Sequence, residues 1–221
     1  MPIDTDRNVV FVHIPKTGGS SIAAMLGLTK PIHFVACAPI PGLSPTDRTP
    51  QHFTWRELRP HLSQEFATAA FKAAFVRNPW DRFLSEYTYR RRWSLSGPQD
   101  EVGRVYGPEH LRDLDSFVAN LDLPAVLRRD AFRGFDAHLE TQRSFLVDER
   151  DQIAFDFIGR FENFEDDART LGRHLGVEVQ SVPHIKRGRA DREYRSAFSS
   201  YAKAAVEDFY REDIEEFGYR F

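Results

Sequence analysis

Apolar runs and helical stripes alternate along this chain in an order that predicts an α/β fold. Val9-Val10-Phe11-Val12-His13-Ile14 is a run of β-formers, and Ser20 to Leu26 follows it as a helix ending near Gly27. Ile32 to Ala36 is a candidate short strand, and the prolines, serine and threonines between Pro39 and Pro50 read as an irregular surface loop. Phe71 to Val76 reads as a buried strand. Asn78 is then a cap, Pro79 opens a helix, and Trp80, Phe83, Leu84 and Tyr87 recur at the spacing of one packed face. That helix runs into the basic stretch Tyr89 to Trp93, whose charges predict a solvated face, with acidic-ligand binding as the alternative. Ser94 to Gly107 is loop-like, and Leu111 to Val118 opens a helical segment reaching to about Phe135. Phe155 to Phe161 is a further strand, and Asn163 starts a helix with acidic residues in its first turn that ends by Gly176. A last helix spans about Ser200 to Glu216, with Ala202, Ala205, Val206, Phe209 and Asp213 on one face. The pattern predicts one domain over residues 1–221, with a central, mostly parallel sheet flanked by helices.

Candidate chemistry concentrates where strands give way to helices. Between the first strand and its helix lie Pro15-Lys16-Thr17-Gly18-Gly19-Ser20-Ser21. Glycines let backbone N–H groups turn inward, a new helix presents unpaired donors, and a lysine adds a full charge, which together make an anion-binding loop. The lysine precedes the glycine pair, so the loop does not fit the Walker pattern, where Lys directly precedes Ser or Thr. Arg77 stands at the carboxyl end of the second strand, the edge at which open parallel sheets bind ligands. Thr54 and Glu57 form a capping box, so His52 sits just ahead of a helix start. Lys186, Arg187 and Arg189 surround Gly188 in a basic loop.

The net charge of −3, from 30 basic and 33 acidic residues, carries no global basic field, and no nucleic acid partner is expected. The single cysteine, Cys37, excludes an internal disulfide and a multi-cysteine metal site and suits a reducing compartment. No basic segment followed by a long apolar core opens the chain, and no apolar run approaches the roughly 20 residues that span a bilayer. A cytoplasmic protein with no signal peptide or transmembrane segment is expected. Oligomeric state is not set by the sequence.

Phe11 to Ser21 and Phe75 to Tyr87 closely resemble the two signature segments of the sulfotransferases that use 3′-phosphoadenosine 5′-phosphosulfate (PAPS). The nearest branch is the carbohydrate type that includes the heparan sulfate 2-O-sulfotransferases and their bacterial relatives. Weaker likeness continues through Gly159 to Phe164, Pro183 to Lys186 and Phe217 to Tyr219. The resemblance implies a P-loop nucleotide-kinase-like sulfotransferase fold and in-line sulfuryl transfer from PAPS to a hydroxyl, on a sugar or other acceptor. It implies that Lys16, Thr17, Gly18, Gly19, Ser20 and Ser21 hold the 5′-phosphosulfate, with Lys16 at the leaving oxygen. Arg77 and Ser85, eight residues apart, match the pair that holds the 3′-phosphate, and Lys186 and Arg189 are possible additions. Sulfuryl transfer demands no metal, and no motif with metal-ligand spacing is visible. Among eight histidines, His52 matches a family histidine ahead of a helix and is the candidate base, with His33 as runner-up. An imidazole with an unperturbed pKa near about 6.5 can accept a proton at neutral pH. His13 reads as locally packed, and His138, near Gln142, as a possible lining of the acceptor pocket. A nucleotide-dependent kinase and a non-catalytic PAPS- or nucleotide-binding module are the alternatives.

Overall fold

The computed structural model describes residues 3–27, 52–96, 109–121, 138–179 and 194–221. The candidate strand at Ile32 to Ala36, the loop from Pro39 to Pro50, His33, Lys186 and Arg189 lie outside these residues. In chain order the elements are β1 (Ile3–Asp4), β2 (Val9–Val12), α1 (Gly19–Met25), α2 (Trp55–Leu58), α3 (Gln64–Ala69), β3 (Phe71–Val76), α4 (Pro79–Ser96), α5 (Leu114–Asn120), α6 (Gln142–Leu146), β4 (Phe157–Arg160), α7 (Phe164–His174), α8 (Ser200–Phe209) and α9 (Arg211–Phe217). The chain divides into two units, one of residues 1–77 and 132–187, the other of residues 78–131 and 188–221.

The first unit is built on a four-stranded mixed sheet in the order β1-β2-β3-β4. β2 pairs with β3 and β3 with β4 in parallel, through Val12↔Ala74 and Val76↔Arg160, so all three strands end at one edge. β1 is a two-residue antiparallel edge strand, too short to leave a hydrophobic signature in sequence. Asp4 folds the connecting turn by accepting the N–H groups of Asp6 and Arg7, each at 3.0 Å, and it pairs with the Arg7 guanidinium. Arg7 then donates to the Leu26 carbonyl at 2.7 Å, fastening the last turn of α1 to the sheet. Phe11, Ala73 and Phe75 meet Ile22, Ala23 and Leu26 of the α1 segment and Ala168 and Leu171 of α7 in one buried cluster. The period-2 alternation of strands and the 3.6-residue period of helices bring these positions onto facing surfaces. Gly159 lets β4 approach the Phe75 ring, since a Cβ there would lie 2.6 Å from it.

The second unit is helical. Asn78 accepts the Trp80 N–H at 3.1 Å, and Pro79 opens α4, as the cap and proline in the sequence predict. Trp80, Phe83 and Tyr87 are buried, with Phe83 and Tyr87 against Phe117 at ring separations of 5.4 and 5.5 Å. The terminal Phe221 ring is met by Trp80, Tyr194 and Phe198, and Asn78 donates to the Arg220 carbonyl at 2.9 Å.

Two expectations change here. The last helix breaks at Tyr210, giving α8 and α9, and its buried positions are Ala202, Val206, Tyr210, Asp213 and Phe217. Burial pushes the Tyr210 hydroxyl well above its ordinary pKa. Arg90 is not solvated: together with Arg82 and Glu86 it forms a buried stripe at i, i+4, i+8 on α4, while Leu84 is only half-buried. Arg90 Nε donates to Glu86 Oε1 at 2.7 Å with both side chains out of water. Arg91 and Arg92 remain exposed.

A buried ion pair is costly to break because removing one partner leaves the other charge desolvated. Glu86→Ala should therefore lower unfolding free energy by about 3–5 kcal/mol, and Thr88→Ala, on the exposed face of the same helix, by no more than about 0.5 kcal/mol. Urea unfolding of both variants checks this, and equal small losses would mean that the pair is not a stabilising contact.

Candidate functional site

The loop after β2 turns back on itself through two left-handed residues, Lys16 at φ 68° and Gly18 at φ 84°. Between them Thr17 is buried, and its hydroxyl donates to the Ile14 carbonyl at 2.9 Å, closing the turn from within. Gly18 is the N-cap of α1 and offers no side chain to the first turn. A Cβ on Gly18 would lie 2.5 Å from the Phe164 ring and 3.3 Å from Phe161, so only glycine satisfies both the φ and the space. Lys16 and Ser20 are half-buried and Ser21 is buried.

Arg77 follows β3 at the same edge. Its Nη1 donates to the Lys16 carbonyl at 3.1 Å, and its guanidinium carbon stands 4.0 Å from the centroid of Phe161, the residue that follows β4. The three parallel strands thus each send one group to this place: Lys16, Arg77 and Phe161. Gln142, fully buried at the start of α6, pairs with both backbone groups of Arg77. Nothing in the sequence pointed to that contact across 65 residues.

His13 leaves β2 with its ring laid against Gly19, where a Cβ would come within 2.1 Å of the imidazole. The His52 ring meets His13 edge-on at 4.9 Å and His138 at 5.0 Å, so three histidines form a row beside the glycine loop. His52 is buried, and its Nδ1 lies 3.0 Å from the His13 carbonyl oxygen. A carbonyl only accepts, so Nδ1 carries the proton, and in the neutral ring Nε2 holds the lone pair.

The capping box behind His52 forms as its sequence predicts: Glu57 N–H donates to the Thr54 hydroxyl at 3.2 Å and Thr54 N–H to the Glu57 carboxylate at 2.8 Å. Arg56 ties α2 to the loop after α6, donating to the Asp148 carbonyl at 2.6 Å and to Asp151 at 2.9 Å, while Arg143 of α6 donates to Asp151 at 2.8 Å. Hydrogen bonding from Arg143, ahead of Arg56, holds the Asp151 carboxyl below the usual carboxylate range. These exposed pairs hold the segments carrying His52 and His138 side by side, though each contributes little stability alone.

Lys16 to Ser21, His52 and Arg77 therefore belong to the sheet unit, while Ser85 lies half-buried on α4 in the helical unit. Among the described residues, no group of three or more His, Cys, Asp or Glu is placed to hold a metal ion. No helix among them is long and apolar enough to cross a membrane.

A glycine loop carrying a cation, with a second cation donating to it from the next parallel strand, stands at the carboxyl edge of the sheet, the edge at which open α/β sheets bind ligands. The family model described as "Sulfotransferase family" matches residues 1–220, and the chain belongs to that family, whose members transfer sulfuryl groups. Searches of curated proteins and of solved structures each gave no significant match.

The close approach of His13 to Gly19 makes a separable prediction. Gly19→Ala should lower stability by about 1–3 kcal/mol through overpacking, and by less than about 0.5 kcal/mol when His13 is also alanine, because the two positions share one space. A double-mutant cycle in urea measures the difference. Equal costs in both backgrounds would separate the ring from the loop.

Proposed function

We propose that the chain transfers a sulfuryl group from PAPS to a hydroxyl of a carbohydrate acceptor, with His52 as the base. The observation that carries this reading is the bond from Arg77 to the Lys16 carbonyl, which sets a second cation against the glycine loop. A donor with phosphates at both its 5′ and 3′ positions calls for two separate cationic contacts, whereas a lone phosphate loop serves many nucleotides.

In the proposed reaction the acceptor oxygen attacks sulfur in line as the bond from sulfur to the 5′-phosphate oxygen breaks. Lys16, with the Ser20 and Ser21 hydroxyls and the backbone N–H groups of the loop, balances the charge that grows on the departing oxygen. Thr17 contributes through its backbone, its hydroxyl being bonded to Ile14. The alcohol proton passes to His52 Nε2, the nitrogen that the His13 carbonyl leaves basic. Sulfated acceptor and adenosine 3′,5′-bisphosphate are the products. Arg77 and Ser85 take the 3′-phosphate, supplemented by Lys186 and Arg189, and no metal takes part.

The same reading treats both units as parts of one sulfotransferase domain with a P-loop nucleotide-kinase-like fold, of the heparan sulfate 2-O type and its bacterial relatives, acting in the cytoplasm. The likeness of Phe11 to Ser21 and Phe75 to Tyr87 to that branch supports it.

Adenosine 3′,5′-bisphosphate at ~100 times its dissociation constant should stabilise the protein by about 2.7 kcal/mol. A thermal shift with ATP and magnesium but none with the bisphosphate overturns the donor assignment. With labelled donor and a panel of sugars, lipopolysaccharide fragments and small alcohols, label should enter carbohydrate. Lys16→Ala should abolish transfer, and His52→Ala should slow turnover by roughly 10²–10⁴-fold while bisphosphate affinity holds. Near-normal turnover in the latter removes His52 from the reaction, and binding without transfer to any acceptor would mark a non-catalytic module.

A further inference from the structure

The β3–β4 ladder ends at Val76↔Arg160, and the Gln142 side chain continues the pairing of β3 by one residue. Its Oε1 accepts the Arg77 N–H at 2.8 Å and its Nε2 donates to the Arg77 carbonyl at 2.8 Å. The partners fix the orientation of the amide, since a backbone N–H only donates and a carbonyl only accepts. Gln142 itself is completely buried, and Thr141, capping the first turn of α6 from its hydroxyl, sets the side chain's point of departure. Arg77 is thereby gripped at both ends, by Gln142 on its backbone and by Lys16 and Phe161 on its guanidinium. A small rotation of the backbone would be magnified along the length of the arginine.

We propose that Gln142 is a positioning residue of the donor site: by pairing with both backbone groups of Arg77 it sets where the guanidinium stands, and with it the preference for a 3′-phosphorylated nucleotide. The proposal rests on the reading of Arg77 as the 3′-phosphate ligand. It requires an amide in particular. A carboxylate at this position would turn an acceptor toward the Arg77 carbonyl, and a neutral carboxylic acid would restore one donor and one acceptor. Buried carboxyls titrate above their ordinary range, which brings that restoration within reach of mild acid.

The test measures dissociation constants of adenosine 3′,5′-bisphosphate and adenosine 5′-phosphate by calorimetry, for the full chain and its Gln142→Met, Gln142→Glu and Arg77→Ala variants. In the unaltered chain the bisphosphate should bind more tightly. Gln142→Met should reduce the ratio of the two constants about tenfold or more, toward that of Arg77→Ala. Gln142→Glu should show the same loss at pH 8 and recover the unaltered chain's ratio, measured at the same pH, as the solution is taken to pH 5. A side chain with only a structural role would weaken both ligands alike and give no pH-dependent recovery. If the unaltered chain prefers the bisphosphate and both Gln142 variants keep its ratio at every pH, the proposal is overturned. If the unaltered chain does not distinguish the two nucleotides, the reading of Arg77 fails and the proposal with it. Should the methionine variant not fold, the pH series on Gln142→Glu decides alone.

Discussion

The bond from the Arg77 guanidinium to the Lys16 carbonyl holds a backbone shape that the sequence would otherwise resist. A lysine with φ near 68° sits in the left-handed region, at a cost of about 1–2 kcal/mol for an L-residue. Because the peptide unit is planar and trans, holding that carbonyl fixes the Lys16–Thr17 plane, N–H included. The same Phe161 ring that lies against Arg77 also limits Gly18 to glycine. The three contacts close a circuit among groups that follow β2, β3 and β4, so the parallel register of the sheet is what sets the shape of the loop.

Much of this was legible in the sequence because it is local. The β2–loop–α1 order, the Asn78-Pro79 start of α4 and the Thr54–Glu57 box each depend on residues within a few positions of one another, and each forms where the pattern put it. The location of Arg77 at a strand's carboxyl end was legible for the same reason. What was not legible is non-local. Gln142 reaches Arg77 from 65 residues away, and no periodicity announces such a contact. His138 could be noticed as a histidine near Gln142, but not as the edge of a row with His52 and His13.

Charge misled the reading of α4 on physical grounds. A run of three arginines normally lies in water, because burying an unpaired charge is prohibitive. Arg90 escapes that penalty through Glu86 one turn earlier, and its guanidinium also stands 6.0 Å from the Phe117 ring centroid. Leu84 is half-buried while Arg82, two residues earlier, is buried, with its guanidinium 5.7 Å from the Tyr210 ring. Long side chains with apolar stems can occupy core positions when an acid and aromatic faces receive their heads. The helical unit thus takes part of its cohesion from polar contacts that a hydrophobic pattern cannot display.

The segment from His13 to Gly19 joins two demands of the proposed reaction in one short stretch. Its first residue gives a carbonyl to His52 Nδ1 and a ring to the space that Gly19 leaves open. Its middle residues make the left-handed turn that presents Lys16. In the proposed reaction the base takes its orientation from the same stretch of backbone that turns to present Lys16. In-line transfer is sensitive to such separations, because a misplacement of an ångström can cost about 10²-fold in rate. The carbonyl that orients His52 and the turn that presents Lys16 thus lie on seven consecutive residues, with Gly19 closing against His13.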